Sequence, residues 1–213
     1  MNKTVINKHL AEIPLVAILR GVTPDEVIGV GEALFEAGIR VVEVTMNSPI
    51  DPLKSIERMA SHFQEKMAVG AGTVLSCSEV DQVKESGAEF IVSPNTNEEV
   101  IGRTAELGLY SLPGVATCSE GFRALEAGAD ALKIFPASAL GPTGLKDMTA
   151  VFPNELGLYA VGGVGASNLG EWLSAGARGA GLGSCLYRAG DLPEDCLGKA
   201  RVMVEAYRRA VAD

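Results

Sequence analysis

The stretch EAGIRVVEV, residues 36–44, decides how the chain is read, because its outline returns four more times. The repeats are ESGAEFIVS (85–93), ELGLYSLP (106–113), EAGADALKI (126–134) and SAGARGAGL (174–182). In each, a small-residue step containing glycine precedes a short apolar run. Glycine suits the left-handed residue just past a helix, where a β-carbon would clash. The runs that follow have the apolar density of strands buried on both faces.

Helix starts recur at the opposite boundary. Thr23-Pro24-Asp25-Glu26, Ser76-Cys77-Ser78-Glu79, Thr96-Asn97-Glu98-Glu99 and Thr117-Cys118-Ser119-Glu120 share the pattern S/T-x-x-E. There the hydroxyl and the carboxylate each satisfy an orphan amide of the first turn. Pro24 fits the first helical position of the first box. Candidate strands fall at 15–19, 41–46, 67–71, 90–93, 110–112, 131–135, 158–161 and 179–182, with room for a helix in every gap. Eight alternations predict an α/β fold, a compact (β/α)8 TIM barrel forming one domain over residues 1–213. A C-terminal helix is expected over 193–211. An open doubly wound sheet is the competing architecture, but neither GVGEALFEAG nor the GAG at 70–72 supplies the dinucleotide fingerprint.

Composition narrows the class of function. With 213 residues and 47% hydrophobic side chains, the chain has material for a large core and is not disordered. Its net charge of −9 argues against nucleic acid as a partner, since phosphate neutralisation needs a basic face. No apolar run approaches the roughly 18–20 residues of a membrane span, and Pro14 to Leu19 is too short for a secretory signal. A soluble, cytoplasmic protein is expected. Cys77, Cys118, Cys185 and Cys196 are scattered without a CxxC and read as reduced, packed thiols. Only His9 and His62 offer imidazole, so a histidine metal site or triad is not expected. Trp172, Tyr187 and Tyr207 read as core or interface residues.

Three charges interrupt the apolar strands: Arg20 ending PLVAILRG, Glu43 within VVEVT and Lys133 within ALKIFP. Alternation puts Glu43 on the face of Val41 and Thr45, and Lys133 on the face of Ala131 and Phe135. Burial lowers the pKa of a lysine and leaves a nucleophilic amine able to condense with a ketone. Burial raises that of a glutamate, which then suits proton transfer. Arg20 offers a planar fork to a carboxylate or phosphate. Each has a plainer alternative: a snorkelling lysine, a structural Lys133–Glu43 pair, an arginine capping a strand. Glycine-rich segments follow the seventh and eighth strands, Gly162-Gly163-Val164-Gly165 and Gly181-Leu182-Gly183-Ser184. Either alone is a tight turn; together they stand where barrels build a phosphate site. Thr73 adds a hydroxyl at the end of the third strand.

The motifs VAILRG, VVEVTMNSP, GAGTV, IVSPN, LPGVAT, ALKIFPAS, AVGGV and GLGS, in this order, resemble the class I Schiff-base aldolases that cleave 2-keto-3-deoxy-6-phosphosugar acids. The resemblance implies a homotrimer of (β/α)8 barrels that needs no cofactor and no metal. It implies Lys133 as the Schiff-base lysine and Glu43 as general acid/base. Arg20, Thr73, Gly163, Gly183 and Ser184 then match substrate-binding positions. Phosphogluconate-type members commonly carry arginine in the loop after VEVT. Here Asn47 in EVTMNSP resembles the phosphogalactonate type, although Thr45 stands where that type often has proline. Competing expectations are the gluconate epimer as substrate, a non-catalytic sugar-phosphate-binding barrel, and a metal-dependent aldolase or epimerase.

Overall fold

A computed structural model describes residues 3–212. Its strands are β1 (Leu15–Leu19), β2 (Val41–Thr45), β3 (Ala68–Gly72), β4 (Phe90–Val92), β5 (Tyr110–Leu112), β6 (Gly114–Val115), β7 (Ala131–Ile134), β8 (Gly157–Val161) and β9 (Gly179–Leu182). They form one sheet in the order β5-β4-β3-β2-β1-β9-β8-β7-β6, and every pairing is parallel. Where eight strands were expected there are nine segments, because the fifth is divided at Pro113. Proline has no amide hydrogen to give to a ladder, yet its carbonyl accepts from the Lys133 amide at 2.9 Å. β5 pairs with β4 and β6 pairs with β7, so the barrel closes through this divided stave.

The helices are α1 (Thr4–Glu12), α2 (Val27–Ala37), α3 (Pro52–Phe63), α4 (Cys77–Glu85), α5 (Glu98–Glu106), α6 (Cys118–Glu126), α7 (Ala137–Thr149), α8 (Leu169–Ser174) and α9 (Pro193–Ala212). The glycine steps behave as the repeat predicts: Gly38, Gly87, Gly108, Gly128 and Gly176 all have positive φ. Ser76 and Thr117 form complete capping boxes with Glu79 and Glu120. Two boundaries differ. Asn97, not Thr96, caps α5, because the Thr96 hydroxyl donates instead to the Gly114 carbonyl at 2.9 Å. Thr23 and Glu26 exchange the expected hydrogen bonds, but Pro24 lies in a turn and α2 starts at Val27. Among the described residues no helix is long and apolar enough to cross a membrane.

The core has two parts. The larger lies between the barrel and its helices. The smaller fills the barrel itself, with Val16, Val41, Phe90, Tyr110, Ala131 and Tyr159 among its members, and it includes Ile6 and Leu10 of α1. That helix, with neither capping box nor glycine step to announce it, plugs the N-terminal end of the barrel. Lys3 ties it down through a 2.6 Å ion pair to Asp130, whose other oxygen accepts from the Ser111 amide. Helix α1 thus covers the lower end of the interior, and the site lies toward the C-terminal strand ends.

Space inside is tight. A β-carbon at Gly70 would stand 2.5 Å from the fully buried Phe90 ring. Gly70→Ala is expected to cost about 1–3 kcal/mol by overpacking, seen as a lower urea midpoint with an unchanged slope.

Candidate active site

β2 and β7 point alternate side chains inward, which brings Glu43 and Lys133 onto the interior face with Val41 and Ala131. In register, Glu43 lies beside Ile18 and Gly70, and Lys133 beside Gly114 and Tyr159. Glu43 is 2% exposed and Lys133 6%. Both line one small cavity with Ile18, Leu112, Tyr159 and Gly181. The Lys133 Nζ sits 4.7 Å from the centre of the Phe135 ring. Neither snorkelling nor a closed structural ion pair describes this arrangement: the amine is buried, and no ion pair joins it to Glu43 among the described residues.

Loss of water is the largest influence on the pKa of both groups. Burial pushes the Glu43 carboxyl up, against the opposing pull of Lys133 and Arg20. Burial pushes the Lys133 ammonium down; the Glu43 carboxylate opposes this and the Arg20 cation adds to it. Both directions favour a neutral amine facing a protonated acid. Such a pair combines a nucleophile with a proton donor.

The glutamate has its place because Gly72 has no side chain: a β-carbon there would meet Glu43 Oε1 at 2.5 Å. Thr73, the next residue, holds φ 59°, an uncommon conformation for a β-branched residue and a mark of local constraint. It stands beside this position and lines neither the small cavity nor the larger one above it.

That larger cavity, about 700 Å3, shares Ile18, Val161 and Gly181 with the smaller and opens at the strand ends. It gathers Arg20, Gly163, Gly183 and Ser184, four of the positions read from the sequence. Gly163 has φ 78°, and a side chain at Gly183 would enter open space. Tyr187, read as core or interface, is buried in the cavity wall. Three features escaped the sequence reading. Asn168 staples the β8 loop, accepting from the Gly165 amide and donating to the Gly163 carbonyl, each at 2.9 Å. Ser48 accepts from the Gly21 amide at 2.9 Å and lies 3.1 Å from the buried Thr45 hydroxyl. Arg188 adds a second guanidinium to the cavity. The spacing GVGASN foreshadows the first; nothing local marks the other two. Arg20 itself donates to Asn47 Oδ1 at 2.8 Å.

His9, 3.1 Å from the Glu65 carbonyl, and His62, 3.2 Å from Glu32, stand apart from both cavities. Burial pushes the Cys185 thiol up and that of Cys196 up to about 11, so both are poor nucleophiles. Among the described residues no three His, Cys, Asp or Glu side chains are grouped to hold a metal.

Residues 6–199 match the aldolase family described as KDPG and KHG aldolase. The chain belongs to the KDPG and KHG aldolase family. It is 48% identical over 200 residues to the 2-dehydro-3-deoxy-6-phosphogalactonate aldolase of Escherichia coli K12, covering 94% of this chain and 97% of that protein. A solved structure described as native KDPGal superposes with TM-score 0.93 at 47% identity, covering 95% and 98% of the two chains. The KDPG aldolase of Legionella pneumophila, with pyruvate captured at low pH as a covalent carbinolamine intermediate, aligns at 28% identity with TM-score 0.77, covering 94% and 95%. Membership of this aldolase family makes the chain a carbon–carbon lyase on a TIM barrel.

For an aldolase of this family, the charges around Lys133 predict two pH shifts of opposite sign. The free amine is the reactive form, so trapping of Lys133 by pyruvate and borohydride rises with pH as the ammonium loses its proton. Glu43→Gln removes the carboxylate that raises the Lys133 pKa, and the midpoint of this rise moves to lower pH. Arg20→Met removes a cation that lowers it, and the midpoint moves to higher pH. Trapping midpoints for the three proteins check both signs.

Proposed function

We propose that this protein cleaves 2-dehydro-3-deoxy-6-phospho-D-galactonate to pyruvate and D-glyceraldehyde 3-phosphate, in galactonate catabolism, with Lys133 as Schiff-base lysine and Glu43 as proton carrier. The observation that carries the reading is the buried pair itself, a lysine and a glutamate whose charges burial disfavours, lining one cavity inside the barrel.

The neutral Lys133 amine attacks the C2 carbonyl and forms a carbinolamine. Glu43, as the acid, protonates its hydroxyl, and water leaves as the iminium forms. The resulting Glu43 carboxylate takes the proton of the C4 hydroxyl, through a water. The C3–C4 electrons move toward the iminium nitrogen as that bond breaks, and glyceraldehyde 3-phosphate departs. The enamine then takes a proton at C3 from the again protonated Glu43. Water hydrolyses the iminium, releasing pyruvate and restoring the neutral amine as the proton set free returns to the Glu43 carboxylate. A carboxyl pushed up by burial exchanges protons in both directions at working pH, as alternating acid and base steps require.

Arg20, Gly163, Gly183 and Ser184 bind substrate from the cavity wall in this reading, and Thr73, outside both cavities, would have to reach it from beside Gly72. The cavity beside Lys133 supplies orientation, and its guanidinium and backbone amides supply positive potential for an anion. Asn47 favours the galactonate configuration, because it bonds to Arg20 where the gluconate type commonly has another arginine. We further propose that the chain acts as one barrel domain, assembles as a homotrimer as its family resemblance implies, and works in the cytoplasm.

Borohydride with pyruvate should add one covalent label, located on Lys133 by peptide mass; a label elsewhere, or none, overturns the mechanism. Glu43→Gln is expected to cut turnover by about two to four powers of ten. Assayed side by side, the galactonate acid should give the higher kcat/KM, and a preference for the gluconate acid would reassign the substrate.

A further inference from the structure

We infer that Arg188 binds the phosphate end of the substrate, so that Arg20 holds the carboxylate and the two guanidinium groups clamp opposite ends of one molecule. This rests on the aldolase reading above and assigns the two ends of that site. Arg20 and Arg188 line the same cavity from the ends of two neighbouring strands, β1 and β9. Arg20 follows β1 and lies two residues beyond Ile18, the register partner of Glu43. Its charge is felt by both Glu43 and Lys133. Arg188 lies beyond β9, past the turn of Gly183 and Ser184, and its Nε donates to the Ser184 carbonyl at 3.3 Å.

Covalent structure fixes which anion goes where. The carboxylate of a 2-keto acid is bonded to C2, the carbon that Lys133 attacks, so it lies at the reactive end beside Arg20. The phosphate is at C6, the other end of the carbon chain, and reaches the side of the cavity that Gly163, Gly183 and Ser184 share with Arg188. A phosphate monoester carries roughly −1.5 to −2 charges at pH 7. Glycine amides offer it only partial charge, on a protein whose own net charge is −9. A guanidinium supplies a full charge and a planar fork matched to two phosphate oxygens.

Arg188 is free for this role because its acidic neighbour is already engaged. Asp191 accepts from the Arg188 backbone amide at 2.8 Å, and its carboxylate pairs with Lys199 at 2.5 Å. Among the described residues no ion pair occupies the Arg188 guanidinium, whereas Arg58, Arg103 and Arg201 are all paired.

The test compares kcat/KM for the 6-phosphorylated acid with that for its unphosphorylated counterpart. In Arg188→Ala and Arg188→Gln this ratio should fall by about ten- to a hundredfold, carried by a higher KM for the phosphorylated acid. Arg188→Lys, which keeps the charge, should recover part of it. Arg20→Met should weaken both substrates together and leave the ratio near that of the wild type. A ratio within threefold of the wild type in Arg188→Ala and Arg188→Gln overturns the assignment. Inorganic phosphate, titrated against the same proteins without turnover, provides an independent measurement: it should bind at least fivefold more weakly to Arg188→Ala, and unchanged binding overturns the inference. If wild-type protein forms no borohydride adduct with pyruvate, the aldolase reading fails on its own account, while the phosphate titration still tests Arg188.

Discussion

Withdrawal of water from one lysine and one glutamate organises the rest of this molecule. Burying an ion costs several kcal/mol even after a protein relaxes around it. In a pocket with both groups, that cost presses each toward its neutral form, the lysine toward a free amine and the glutamate toward a protonated acid. On the proposed reading, the same surroundings thus favour both the nucleophile and its proton source. Neither state would persist on a wetted surface, where an ordinary lysine near neutral pH is an ammonium.

The barrel supplies that dryness by geometry. Parallel strands alternate their side chains strictly, so placing Glu43 and Lys133 inward also turns Val41, Ala131 and their neighbours inward to exclude solvent. Helix α1 shuts the lower end with Ile6 and Leu10. Two glycines on β3 then divide the remaining space: Gly70 yields its volume to Phe90, and Gly72 yields its volume to the Glu43 carboxyl. Closure at the fifth stave uses a proline carbonyl to hold the amide of the buried Lys133 itself. Core packing and chemistry are here one arrangement, since the groups that fill the barrel also set the pKa directions of the pair.

The sequence made the repeat legible because its signals are local and steric. A residue with positive φ after a helix is most easily a glycine, and five such positions carry one. Charges inside apolar strands were equally plain, since strand periodicity alone turns Glu43 and Lys133 to one interior. What stayed hidden depends on contacts between segments distant in sequence. Thr96 matches a capping pattern, but its hydroxyl is drawn away by the carbonyl of Gly114, eighteen positions on. Arg188 looks like any exposed arginine until the fold sets it in the same cavity wall as Arg20. Helix α1 has no boundary signal, because its role is to cover a hole that exists only once the barrel has closed.

Thr45 shows how a departure from a family pattern becomes structure. Its buried hydroxyl meets Ser48, Ser48 accepts from the amide of Gly21, and Gly21 follows the Arg20 whose guanidinium bonds to Asn47. Two neighbouring loops are thereby joined by hydrogen bonds on both sides of a single cation. A proline at position 45 would remove the hydroxyl, leaving Ser48 to hold Gly21 without that support. An arginine at position 47 would remove the acceptor and set a second cation beside the first. The residues at 45 and 47 therefore bear on the cation that, on the proposed reading, holds the substrate's carboxylate. On that reading, a small displacement of the cation would rotate the bound carbon chain about C2 and move the C4 hydroxyl, which differs between the epimers. Discrimination would then lie in how that hydroxyl is presented to Glu43, and it is limited to the few kcal/mol that placement of one substrate end can provide.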